Sequence, residues 1–281
     1  MILVLLALNF LLMILLPLLL GRWIARRRGA SWGLFGVGAL AFVLSQVAHL
    51  PFNWLVLQKW GWVDASRPVL YALFLGLSAG SFEGVARYLS FRFWAKEARS
   101  WGTGLMVGAG HGGIEAILLG VLGLINFTIL LGLREGHFQG ILASVPPDQL
   151  YLVDEQISAL FGIPASMALL GAVERVFALL LHLSASLLVM QTFVHGQWRW
   201  LAAGILWHAA IDGVLVYVLL GWGAITAEFV LGGLSLISLG IIFALRQPEP
   251  VAAELEPLPE LKPLKPIELS ADSLERSKYS G

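Results

Sequence analysis

Seven long runs of apolar residues constrain this chain more than any other feature of its sequence. A helix needs about 20 mostly apolar residues to cross the hydrocarbon core of a bilayer. The runs cover residues 2–20, 32–50, 69–89, 104–131, 160–194, 201–219 and 224–245. Because only helices and closed barrels satisfy their backbone hydrogen bonds in lipid, the sequence predicts an all-α, polytopic integral membrane protein with about seven transmembrane helices.

The composition supports a membrane protein. Hydrophobic residues make up 58% of the 281 residues and charged residues only 13%, whereas soluble domains carry about 25% charged residues. The formal net charge is zero, so no nucleic-acid partner is predicted. The chain has no cysteine, which excludes thiolate nucleophiles and cysteine zinc sites, and a metal would have to be held by His, Asp or Glu.

The basic residues predict the orientation of the helices. Cytoplasmic loops carry an excess of Lys and Arg, and the first run is followed, not preceded, by basic residues, which is typical of an uncleaved helix. The residues that fall on the predicted inner side are Arg22, Arg26, Arg27, Arg28, Arg92, Lys96, Arg99, Arg199 and Arg246, against Lys59, Arg67 and Arg134 outside. We therefore expect a multi-pass protein of a bacterial-type cytoplasmic membrane, with the N-terminus outside and the C-terminus inside.

Three regions are predicted along the chain. Residues 1–66 would form two N-terminal transmembrane helices and an external loop, and residues 67–245 a membrane core of five helices. Residues 246–281 are rich in proline, and their apolar residues never reach the length of a packed element. This composition predicts a disordered cytoplasmic tail.

Ionisable residues interrupt four of the apolar runs. Charged side chains inside a membrane are costly and by default mark functional sites. They occur in "SFEGVARY" (Glu83, Arg87), "GHGGIEA" (His111, Glu115), "VERVFALLLH" (Glu174, Arg175, His182) and "WHAAIDG" (His208, Asp212). Residues four apart share one helix face. The spacing therefore predicts polar faces on the third to sixth spans.

Depth indicates that these faces meet. At 1.5 Å per residue, Glu83, His111 and His208 lie roughly 10–15 Å below the inner boundary, and His182 lies about one turn deeper. The sequence therefore predicts one polar site between the third to sixth helices.

Imidazoles and carboxylates in one layer are typical of a metal site for hydrolysis. Three imidazoles, from His111, His182 and His208, would leave a fourth position for water on a metal ion, and zinc is the usual ion for such chemistry. A nearby glutamate would accept the proton of that water as it attacks a carbonyl.

The remaining ionisable residues have expected supporting roles. Glu115 and Asp212 would orient His111 and His208, although two residues at this spacing could also bind one metal ion together. Arg87 would keep Glu83 ionised. Glu174 and Arg175 point to different faces of one helix, and each is expected to pair across helices.

Two other interpretations stay open at this point. The polar residues can form a structural network that locks helices together, or a proton relay of a transporter. No inverted repeat or matching pair of broken helices supports a transporter. His49, His137 and His195 lie near span ends or in loops, and a structural role is expected for them.

The order of the motifs, over residues 69 to about 219, resembles the YhfC-type intramembrane metalloproteases. That family is related to the CAAX-processing and PrsW proteases and, more distantly, to the Aph-1 subunit of gamma-secretase. In the CAAX-type relatives the first motif is a double glutamate. Glu83 matches its second position, and Phe82 occupies the first. Their Phe-x-x-x-His motif appears as Val107 to His111, and their final motif matches His208 and Asp212.

The resemblance implies an intramembrane endopeptidase that acts on membrane-associated proteins or peptides. Glu83 would activate water, while His111 and His208 would hold a metal or polarise the carbonyl; the CAAX-type motifs do not require His182. Because Aph-1 is a scaffold, the resemblance also implies an alternative, a non-catalytic assembly subunit. The predicted catalytic residues are Glu83, Arg87, Glu115, Glu174 and Asp212, and the predicted zinc-binding residues are His111, His182 and His208.

Overall fold

The computed structural model describes residues 1–247 and Glu275, and this part of the chain is helical, without a β-strand. Six helices in it are long and apolar enough to cross a membrane, which confirms the prediction of an all-α polytopic protein. The helices are α1 (Ile2–Arg28), α2 (Trp32–Trp54), α3 (Pro68–Phe93), α4 (Trp101–Arg134), α5 (Gln139–Ala143), α6 (Leu150–Phe161), α7 (Leu170–His195) and α8 (Arg199–Ala244). Most of the predicted tail lies outside the described residues.

The last long helix, α8, is a hairpin of two membrane-length arms. Its backbone is non-helical at Gly223, where φ is 79° and ψ is 176°. Ile211 and Leu231 pack in one apolar cluster, although a straight helix would place them about 30 Å apart. The first arm (residues 199–222) and the second arm (224–244) therefore run antiparallel. Each is long enough to cross a bilayer, which gives the seven segments that the apolar runs predict.

Arg28, Arg99 and Arg246 lie at one end of the bundle, which we call the basic end. The guanidinium carbon of Arg28 lies 4.7 Å from the centre of the Trp101 ring, and that of Arg246 lies 5.6 Å from it. The indole nitrogen of Trp101 donates a hydrogen bond to the carbonyl of Ile242 (2.8 Å). These contacts join the end of α1, the start of α4 and the end of α8, as alternating crossings require.

The segment between α4 and α7 differs from the prediction. The fifth run was expected to start a span at residue 160, but that residue belongs to the short helix α6, and α7 begins at Leu170. The chain breaks between them at "GIP", residues 162–164. Apolar composition alone does not reveal such a break, because residues on both sides are hydrophobic.

Packing of the long helices brings the polar faces together. Helix α3 packs on the α8 hairpin, α7 packs on α8 and α4, and α2 packs on α3 and α4. The polar sides of α3, α4, α7 and the first arm of α8 consequently face one another inside the bundle.

Candidate active site

One carboxylate oxygen, Oε2 of Glu83, lies at the centre of the polar site. It is 3.1 Å from Nε2 of His111, 3.6 Å from Nε2 of His208 and 3.9 Å from Nδ1 of His182. It also accepts a hydrogen bond from Nη2 of Arg87 at 3.3 Å. All five residues are buried, so four helices place these groups around one oxygen away from solvent.

The second oxygen of Glu83 is held by a residue that the sequence analysis missed. Gln46 of α2 donates a hydrogen bond from Nε2 to Oε1 of Glu83 (3.2 Å). Its own carbonyl oxygen lies 3.3 Å from Nδ1 of His49, whose Nε2 lies 3.1 Å from the Ser78 hydroxyl. A lone amide in an otherwise apolar run was the available signal, since such side chains seek partners across helices.

Arg87 joins two of the histidines. Its guanidinium is fully buried, and it donates from Nη2 to Nδ1 of His182 (2.6 Å) and from Nη1 to Nδ1 of His208 (3.2 Å). Arginine has no acceptor and stays protonated in proteins. Both Nδ1 atoms must therefore accept, which places a proton on Nε2 of each neutral imidazole.

Two carboxylates accept hydrogen bonds from those Nε2–H groups. Nε2 of His182 lies 2.9 Å from Oε2 of Glu115, and Nε2 of His208 lies 3.1 Å from Oδ2 of Asp212. Such contacts fix the tautomer and orientation of an imidazole. For Asp212 this is the predicted partner, but the expected pairing of Glu115 with His111 is wrong.

The change of partner follows from how closely α4 and α7 approach. A Cβ atom built on Gly112 would lie 2.5 Å from Cδ2 of His182, so only glycine leaves room for that ring. His182 then lies against α4, where Glu115 can reach its Nε2. His111 uses its own Nε2 on Glu83 instead.

The outer part of the site contains Arg175, which pairs with two acids. Its Nη1 donates to Oε1 of Glu115 at 2.5 Å, across helices as expected. Its Nη2 donates to the adjacent Glu174, so the expectation that Glu174 pairs across helices is wrong. All eight residues predicted for the site therefore belong to one connected network. Glu174 lies at its edge, with a side chain that is 39% exposed.

A cavity of about 100 Å³ lies within the network. Water occupies about 30 Å³ per molecule in the liquid, so the cavity has room for water beside the reactive groups. Its ionisable lining residues are Glu83, Glu115, Glu174, Arg175, His182, His208 and Asp212.

The donors in the site fit a metal ion. Ligand atoms of Glu83, His182 and His208 all lie within 4.8 Å of one another, and imidazole nitrogen with carboxylate oxygen is a donor set that zinc accepts. Nδ1 of His111 is buried without a hydrogen-bond partner among the described residues.

The carboxylates of the network outnumber its guanidiniums. Four carboxylates, on Glu83, Glu115, Glu174 and Asp212, face the two guanidiniums of Arg87 and Arg175. Water offsets part of this difference, because the side chains of Glu174 and Asp212 are 39% and 30% exposed. A buried Glu83–His182–His208 group could bind a metal ion.

The fold and this site define a class: a multi-pass helical membrane protein with a buried Glu–His–Arg network that could hold a metal. The family model described as YhfC intramembrane metalloprotease matches residues 12–233, and the chain belongs to that family. It is 35% identical over 214 residues to the "Uncharacterized membrane protein YhfC" of Bacillus subtilis (strain 168), over 74% of this chain and 82% of that protein. No solved structure matches the chain.

Proposed function

We propose that the protein is a zinc-dependent intramembrane endopeptidase of a bacterial-type cytoplasmic membrane, which hydrolyses peptide bonds in or near the bilayer. The observation that carries this proposal is the position of Glu83 Oε2, between 3.1 and 3.9 Å from nitrogens of three imidazoles and one guanidinium. A single buried carboxylate so placed is suited to accept a proton from water while neighbouring groups stabilise charge. Membership of a family described as intramembrane metalloproteases supports the same kind of activity.

In this proposal Glu83 is the general base. Gln46 holds its Oε1, so that Oε2 stays directed at the site. The positive charge of Arg87 balances the carboxylate and can stabilise negative charge that develops on a peptide carbonyl oxygen. Glu83 would pass the accepted proton to the departing amine, which completes hydrolysis.

Zinc would be held by the imidazoles of His111, His182 and His208. Because Nε2 of His182 and of His208 donates to a carboxylate, these two rings would bind the ion through Nδ1, and Arg87 would give up its hydrogen bonds to those atoms. When bound, the ion would supply Lewis-acid polarisation and lower the pKa of water. Glu115 and Asp212 keep His182 and His208 in fixed tautomers, and Glu115 in turn is held by Arg175. The substrates would be membrane-associated proteins or peptides.

Cleavage in membranes tests the proposal without a known substrate. We would compare new protein N-termini in membranes from cells that express wild-type protein or Glu83→Gln at equal levels. Termini that arise with the wild type and are absent with the variant are expected. Identical sets of termini would contradict a protease in which Glu83 is the base.

A scaffold remains the second candidate, because one observation favours it. Both nitrogens of His182 and of His208 already have partners within the protein, through Arg87, Glu115 and Asp212. Such a network has its hydrogen-bond partners within the protein, and it can act as a purely structural link between helices. A scaffold would keep its partners with Glu83→Gln, which can still form hydrogen bonds, and lose them with Glu83→Leu.

A further inference from the structure

The carboxylates of the polar site become more exposed along it, whereas its guanidiniums and imidazoles stay buried. The side chain of Glu83 is 7% exposed, that of Glu115 is 23%, that of Asp212 is 30% and that of Glu174 is 39%. Along the helices, the same series runs away from the basic end. Glu174 lies in the second turn of α7, and Asp212 lies ten residues before the end of the first arm of α8.

A second cavity continues in that direction. It has a volume of about 300 Å³ and lies between α7 and the two arms of α8. Its lining includes Leu170, Glu174, Leu215, Ala224, Ala227 and Glu228. We call it the vestibule. Glu174, Leu215 and Leu231 line both the vestibule and the smaller cavity at Glu83, so the two spaces adjoin between α7 and the arms of α8.

The vestibule contains a carboxylate that its surroundings do not satisfy. Oε2 of Glu228 is buried, and it has no hydrogen-bond partner among the described residues. A buried acceptor of this kind is normally satisfied by water. Glu228 lies on the second arm of α8 and lines the vestibule, so water in this space would satisfy its carboxyl group.

The vestibule lies at the end of the bundle away from the basic end. Its lining includes Leu170, the first residue of α7, and Ala224, next to the bend at Gly223. The basic end is at the other end of both helices. By the positive-inside rule, the vestibule faces the outer side of the membrane.

We propose that the polar site opens to the extracytoplasmic side through the vestibule and takes substrate segments exposed on that side. The substrate class rests on the proposed protease function, whereas the route is a property of the fold. The depth of Glu83 alone, which lies nearer to the inner boundary, would favour access from the opposite side. Depth gives the distance to each surface, but the packing of α7 against the α8 hairpin determines which side is open.

The absence of cysteine from the sequence makes the route directly testable. Single cysteines would be introduced as Ala227→Cys in the vestibule and Ala178→Cys in the inner cavity. Phe229→Cys is the matched control, because Phe229 lies two residues from Ala227 and is 79% exposed on the surface of the bundle that would face lipid. The probe is a charged, membrane-impermeant methanethiosulfonate, applied to right-side-out and to inside-out membrane vesicles. Ala65→Cys and Lys96→Cys, in the exposed loops at opposite ends, report the sidedness of the vesicles.

In right-side-out vesicles, Ala227→Cys and Ala178→Cys should react along with Ala65→Cys, and at least about tenfold faster than the lipid-facing Phe229→Cys, since a thiol must be hydrated to form the reactive thiolate. Reaction of the two cavity cysteines only in inside-out vesicles would overturn the proposal. So would a lack of reaction at Ala227→Cys when Ala65→Cys is labelled. Labelling does not require activity, so it can succeed even where the Glu83→Gln comparison shows no cleavage.

The substrate class has its own readout. Modification of Ala227→Cys from outside should block the appearance of the Glu83-dependent N-termini, and those termini should lie in extracytoplasmic segments. Glu83-dependent termini confined to cytoplasmic segments would overturn the substrate class.

Discussion

Glu83 is the residue whose chemistry the proposed reaction needs most directly. Its two oxygens are used differently, because Oε1 is held by Gln46 and Oε2 faces the histidines and Arg87. Such a division is useful for a base, which must be positioned by one atom and react through the other.

The variant Glu83→Gln should separate reaction from structure. Glutamine has the same size and can still bond to Gln46 and Arg87, but it does not accept a proton from water. We expect cleavage to fall at least about 100-fold, the lower end of the range for general-base catalysis, while the variant elutes as a folded monodisperse protein in detergent. Cleavage at the wild-type rate would show that another group is the base.

The variant Arg87→Leu should unfold the site. Arg87 is fully buried and contacts Glu83, His182 and His208. Removal of one partner from a buried ion pair costs about 3–5 kcal/mol, because the other charge is left unpaired. Thermal unfolding in detergent should show a clear loss of stability.

A matched control for that variant is Arg92→Leu, at the exposed end of the same helix. Surface substitutions usually change stability by less than about 0.5 kcal/mol. Equal stability of Arg87→Leu and Arg92→Leu would contradict the role assigned to the buried guanidinium.

The sequence predicted the residues of the site better than their partners. Spacing of four along a helix correctly placed Asp212 beside His208, since both lie on one face of α8. The same spacing gave the wrong partner for Glu115, because the approach of α7 over Gly112 brings His182 to it. Gln46 was missed because an amide carries no charge to mark it in an apolar run.

At the level of helices, the bend at Gly223 makes α8 a hairpin. Its φ of 79° with ψ of 176° lies in a region that is essentially restricted to glycine. We expect Gly223→Ala to destabilise the protein by about 1–3 kcal/mol, the usual cost of such a strained residue, as measured by thermal unfolding. Gly221→Ala is the control, since it lies two residues away, within the helix, and a Cβ there meets nothing within 4 Å. A Gly223→Ala variant as stable as this control would contradict the observed bend.

The close contact between α4 and α7 predicts that one methyl group added at Gly112 disturbs the His182 ring. Gly112→Ala would place Cβ 2.5 Å from the His182 ring, and overpacking of this kind costs about 1–3 kcal/mol. The ring must move away from Glu115 and Arg87, so we expect reduced metal binding and reduced cleavage. Gly233→Ala, where a Cβ is free of contacts, should leave both unchanged. Unaltered metal content in Gly112→Ala would argue against His182 as a ligand.

Long helices were predictable because span length and apolar composition leave few alternatives. The hairpin was expected as two runs, and the structure supplies its bend at "GWG". Helices α5 and α6 and the start of α7 were not predicted. Helix α5 is a single short turn, α6 mixes apolar residues with Asp154 and Glu155, and the residues around the start of α7 are apolar on both sides of the break.

Across residues 1–247, the basic end and the polar site lie at different depths along the helices. Arg28, Arg99 and Arg246 lie at the basic end, whereas the carboxylates of the site become more exposed toward the other end. This distribution supports the proposed orientation in the membrane. It also supports the proposed route, by which water would reach the polar site through the vestibule.

Metal content of the detergent-purified protein tests the central proposal most directly. Plasma mass spectrometry would be applied to the wild type, Glu83→Gln and His208→Ala. We predict about one zinc ion per chain in the wild type and in Glu83→Gln, and loss of the ion in His208→Ala, since three protein donors are needed for a stable site. Absence of metal from the wild type, or equal zinc in His208→Ala, would contradict a histidine-bound metal centre.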